Sequence, residues 1–163
     1  MVSKREVRQE GHRRKFLAVV DSTPECEKAI HYAARRVAAI DADLVLIYVI
    51  EPADFQHWLG VEDVMKAEAK VAADQALTKA SAWAVEYGGI TPELVIKEGR
   101  PTAAIESLIE EDHDIALMVL AAGESNEGPG PLVSAIAGSG GAFSIPVTVV
   151  PTTLTDQDID DLV

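Results

Sequence analysis

Residues 16–25 read Phe-Leu-Ala-Val-Val-Asp-Ser-Thr-Pro-Glu. The run Phe16–Val20 is apolar without interruption and stops at Asp21. A short run with no polar alternation predicts a strand buried on both faces. The next residues predict a helix start: a hydroxyl at Ser22, Pro24 for the first turn, and Glu25 near the positive end of the helix dipole. The helix is expected from Pro24 to about Ile40. Ala29, Ile30, Ala33, Val37 and Ile40 have the three-four spacing of one buried face. A fully buried strand feeding an amphipathic helix is the repeating unit of a parallel sheet.

The unit recurs downstream. Leu44–Ile50 reads as the second strand, closed by Pro52. A long Ala-rich helix is expected from Val61 to Tyr87, with Val64, Met65, Ala72, Ala76, Ala80 and Trp83 on one face and Gly88-Gly89 as a left-handed cap and turn. Glu93–Lys97 is the third strand. After Glu98-Gly99-Arg100, Pro101 opens a helix to about Glu110, with Ala104, Ile105 and Leu108 inward. Ile115–Ala122 is the fourth strand. A loop at 123–131, a short helix near 132–142 and a last strand, Val147–Val150, follow. The alternation predicts an α/β fold: a doubly wound, five-stranded parallel sheet with helices on both faces. Ligands of such sheets bind at the carboxyl ends of the strands, where the winding reverses. The strand ends here supply Asp21, Val49 to Glu51, Glu98-Gly99 and Gly123.

Composition narrows the function classes. The 163 residues suit one domain, and 48% hydrophobic against 5% aromatic predicts a core of Val, Ile, Leu and Ala. A net charge of −13 disfavours nucleic acid and anionic membranes as partners. Residues 1–13 are basic and 152–163 acidic, and both ends are expected to be solvated, flexible tails around a domain at 14–151. A single cysteine, Cys26, excludes an internal disulfide. It fits a reducing, cytoplasmic compartment, as do the missing secretory core and spanning segment.

Gly123-Glu-Ser-Asn-Glu-Gly-Pro-Gly-Pro131 is rich in turn residues. Glycines let backbone amides approach an anion, and a plain surface loop has the same composition. Taken together, Phe16–Glu25, Tyr48-Val49-Ile50-Glu51-Pro52, Glu98-Gly99-Arg100-Pro101 and Gly138-Ser139 with Ile145–Val150 resemble the universal stress protein family, over about residues 14–151. The resemblance implies the adenine-nucleotide alpha-hydrolase-like fold and a stress-response role, with ATP or another adenine nucleotide, together with Mg²⁺, as a regulatory ligand. Asp21 and the main chain at Val49 would contact the adenine and ribose. Gly123, Gly128, Gly138 and Ser139 would line the phosphates.

The nucleotide-binding branch carries Gly, two residues, Gly, nine residues, then Gly-Ser or Gly-Thr. Gly128, nine residues and Gly138-Ser139 match the second half. Ser125 stands where the first glycine belongs, and Gly123 replaces it only in a longer loop. Glu124 and Glu127 oppose phosphate, at roughly 4 kcal/mol per like-charge pair 4 Å apart in an effective dielectric of about 20. Pro129 and Pro131 remove two amide donors. A nucleotide-independent homodimeric interaction module with the same fold is therefore the alternative reading.

No catalytic constellation stands out, so a binding protein rather than an enzyme is expected, with a slow ATPase as the lesser alternative. No P-loop is present, and no G-x-G-x-x-G follows the first strand. His12, His31, His57 and His113 do not pair at metal-ligand spacing, so no metal site is expected. Cys26 lies in a helix's first turn, where the dipole lowers a thiol pKa, but without a partner base it reads as structural. Residues 54–65, with Phe55, His57 and Trp58, read as a lid or a partner patch. The last strand suits pairing with its own copy at a sheet edge, which the resemblance also implies for a homodimer.

Overall fold

A computed structural model describes residues 4–52, 61–123, 130, 132–135 and 143–163. The chain alternates strand and helix as expected: β1 (Lys15–Val20), α1 (Cys26–Ile40), β2 (Asp43–Ile50), α2 (Val61–Gly88), β3 (Glu93–Glu98), α3 (Pro101–Glu111), β4 (Ile115–Ala121) and β5 (Val147–Val150). A final helix, α4 (Asp156–Leu162), follows. Residues 132–135 form one helical turn. The five strands are parallel in the order β3-β2-β1-β4-β5. Winding reverses between β1 and β4, which places the switch point beside Asp21.

Strand residues alternate between two cores. Phe16, Ala18, Val20, Leu44 and Leu46 pack under α1 and α2. Leu17, Val45, Ile47, Met118 and Leu120 pack under α3 with Phe143 and Ile145. Both faces of the central strands are buried, which is why their sequences run apolar without alternation. β3 is an edge strand and leaves Leu94 exposed. β5 forms the other edge.

Four expectations change. The buried stripe of α2 is Ala73, Leu77, Ala80 and Ala84, whereas Val64 and Ala72 are exposed. Ala-rich turns offer several apolar stripes, and the spacing alone does not choose among them. Gly89 adopts the left-handed conformation at φ +64°, but Gly88 serves close packing. A Cβ there would stand 2.5 Å from the Ala34 carbonyl oxygen on α1. α1 begins at Cys26 without a side-chain cap, two residues after Pro24.

The acidic tail, finally, is not all solvated. Thr155 and Asp158 form a reciprocal capping box at the start of α4. Ile159 is fully buried against α1. The His31 ring, also buried, has Nδ1 3.3 Å from Asp156 and Nε2 2.8 Å from Asp160. It stacks on Tyr87 with centroids 3.8 Å apart. The Lys28 ammonium donates to the Thr152 carbonyl. The basic N-terminal stretch is likewise anchored, with Arg5 Nη1 donating to the Ile109 carbonyl at 2.6 Å.

Candidate functional site

β1 delivers Asp21 to the carboxyl edge of the sheet, where the chain turns before α1. Asp21 Oδ1 accepts from the Thr23 amide at 2.9 Å and from its hydroxyl at 2.5 Å. The carboxylate therefore caps the turn rather than the helix. One oxygen is held in place, and among the described residues the other has no partner. Asp21 itself is exposed.

Beside it lies a cavity of about 90 Å³ between β1 and β4. Val19, Ala29, Leu120, Ala121, Leu132 and Val133 form apolar walls, and Asp21, Thr23 and Glu25 form a polar rim. Gly130 closes one side with φ +101°, a left-handed conformation that favours glycine. Cys26 also lines the cavity, and its thiol faces the Val19 carbonyl at 3.8 Å. Burial pushes that thiol up to about 12, which outweighs any lowering by the helix start. It is a packing residue, as its lack of a partner base suggests.

Of the sequence-derived site residues, the structure brings Asp21 to this cavity. Val49 sits near the end of β2, one residue beyond the last β1 pairing, Val20 with Tyr48. Its side chain packs on the α3 face. Gly123 is half-buried just past β4. Neither lines the cavity. Gly128, Gly138 and Ser139 lie outside the described residues, as do Phe55, His57 and Trp58. Thr23, Gly130, Leu132 and Val133 line the cavity and were not singled out by sequence reading. Gly130 was visible as part of a turn-rich stretch, but only its position past β4 makes it a wall.

The geometry has the form of a ligand crevice at a doubly wound switch point. A model of the universal stress protein family matches residues 12–151. The chain belongs to that family. No curated protein matches its sequence. Solved structures of the family share the fold at low identity. A universal stress protein, UspA, from Lactobacillus plantarum is 20% identical with a TM-score of 0.69, over 84% of this chain and 97% of its own. A universal stress protein solved in complex with cAMP is 20% identical at 0.61, over 86% and 98%. One from Archaeoglobus fulgidus, solved in complex with dAMP, is 14% identical at 0.51, over 91% and 98%. The family match stops before α4, so the docked tail helix lies outside the matched region.

Proposed function

We propose that this stress-family protein binds an adenine nucleotide in the crevice between β1 and β4 and responds to it as a regulatory ligand. The observation that carries the proposal is the apolar cavity at the switch point, rimmed by the fixed Asp21 carboxylate and walled by Gly130. Apolar walls suit a purine, and a carboxylate with one unpartnered oxygen accepts from ribose hydroxyls or an exocyclic amine. Two of the family structures were solved with cAMP and with dAMP, which supports the ligand class. In this reading Asp21 and the Val49 main chain hold the base and ribose. Gly123, Gly128, Gly138 and Ser139 line the phosphates, and Mg²⁺ offsets Glu124 and Glu127. The protein works in the cytoplasm as a homodimer paired through β5.

Bound nucleotide regulates only by favouring one state over another. The crevice would report occupancy through α1, whose first turn supplies Cys26 and Ala29 to the cavity. Isothermal titration with Mg²⁺-ATP, AMP and cAMP tests the proposal. Saturable heat that falls in Asp21→Ala supports it. Absence of heat and of thermal shift at millimolar nucleotide refutes it.

A second reading rests on one measurement. The cavity of about 90 Å³ is well below the roughly 300 Å³ at which ligand pockets begin. A nucleotide-independent interaction module of the same fold accounts for that volume. An adenine nucleotide released by acid from the purified protein would overturn this reading.

A further inference from the structure

Three side chains with metal-binding donors converge at the amino-terminal end of the sheet, opposite the crevice, with a fourth beside one of them. One donor atom from each of Glu6, His12 and Asp114 lies within 4.8 Å of the other two, the only such group of three among the described residues. His12 Nδ1 is 2.7 Å from Asp114 Oδ1. His113 Nδ1 lies outside that group but 3.9 Å from Glu6 Oε2. All four residues are half-buried.

The backbone that carries them is fixed. The Glu6 amide donates to the His113 carbonyl at 3.0 Å, and the His12 amide donates to Gln9 at 3.1 Å. The Asp114 amide donates to Asp112 Oδ1 at 3.1 Å. Asp114 then enters β4. Two segments about a hundred residues apart therefore present one histidine and one carboxylate each, which is why no local motif announces the group.

We propose that Glu6, His12 and Asp114, with His113 at hand beside Glu6 for the fourth position, bind a divalent transition metal of the Zn²⁺ class, which ties the N-terminal segment to the start of β4. Tetrahedral ligands at about 2.0–2.1 Å from zinc stand about 3.3 Å apart. The His12–Asp114 separation of 2.7 Å is shorter than that value and the three donors all lie within 4.8 Å of one another, so shifts of up to about 1.5 Å bring them to zinc-ligand spacing. Two carboxylates neutralise the dication when both imidazoles are neutral. Imidazole donors select Zn²⁺, Ni²⁺ or Co²⁺ over Mg²⁺ and Ca²⁺, which take mostly oxygen.

The test uses the full chain, stripped with chelator and titrated calorimetrically with ZnCl₂ and, separately, MgCl₂. The expected result is uptake of about one Zn²⁺ per chain, a raised Tm, and no response to Mg²⁺. Glu6→Gln and Asp114→Asn each weaken uptake at least about tenfold. Cys26→Ser, which removes the only thiol, leaves uptake unchanged. Glu6 is half-exposed, so its variant tests the site without disturbing the core. Absence of saturable zinc uptake overturns the proposal and leaves the cluster as ion pairs. Uptake that survives both ligand variants overturns it too.

Discussion

Replacing Ile159 with alanine should release α4 while the sheet stays folded. α4 has seven residues, too short to be helical alone in water. Its order comes from the capping box, the contacts to His31 and the burial of Ile159, whose exposure is 0%. An Ile→Ala change at such a site costs about 2–5 kcal/mol. The capping box contributes about 1 kcal/mol on its own. The loss therefore approaches everything that holds α4 down. Hydrogen exchange followed by mass spectrometry reads it directly. Amides of 156–162 should exchange faster by about 30-fold to several thousand-fold, at 1.4 kcal/mol per factor of ten. Amides of β1 and β4 should change little. If residues 156–162 keep their protection while Tm falls steeply, Ile159 belongs to the global core, and the account of a separately docked helix is wrong.

Gly88→Ala should destabilise the protein by about 1–3 kcal/mol in denaturant titration, although alanine is the better helix former. Its Cβ would meet the Ala34 backbone on α1. Cys26 should react with a neutral thiol reagent only as fast as the protein opens, because burial holds its thiol near 12; rapid labelling of native protein at pH 7 would contradict this. Asp160 is held below its ordinary value chiefly by its bond to His31, and Asp158 by its bonds to Thr155. Groups depressed in the folded state stabilise it above the unfolded pKa and stop doing so as pH falls. Exchange of α4 should therefore accelerate below about pH 4, ahead of the sheet.

Most of the fold was legible because parallel strands leave a plain signature. Phe16–Ala18 and Leu44–Ile47 are buried on both faces and could not alternate. Pro101 and Pro52 punctuated them correctly. The place of Asp21 beside the cavity was legible, since a charge closing a buried strand must sit at the sheet's carboxyl edge. What escaped was long-range. Ala73 and Leu77 lie buried because α1 lies over them, and α2's own spacing does not reveal that neighbour. The partners of His31 were not legible because the helix that covers it begins 125 residues later, at Asp156. The tail read as solvated because four aspartates outweighed the single Ile159. Glu6, His12 and Asp114 come together only through the N-terminal segment's return to β4.

The central claim is that the crevice beside Asp21 holds an adenine nucleotide. A crystal structure of the full chain grown with Mg²⁺-ATP, alongside protein as purified, tests it most directly. The account predicts purine density between β1 and β4 with the ribose against the Asp21 carboxylate, lost in Asp21→Ala. A crevice that stays empty at millimolar nucleotide, with Leu132 and Val133 still closed over it, would contradict the account and leave the nucleotide-independent module standing.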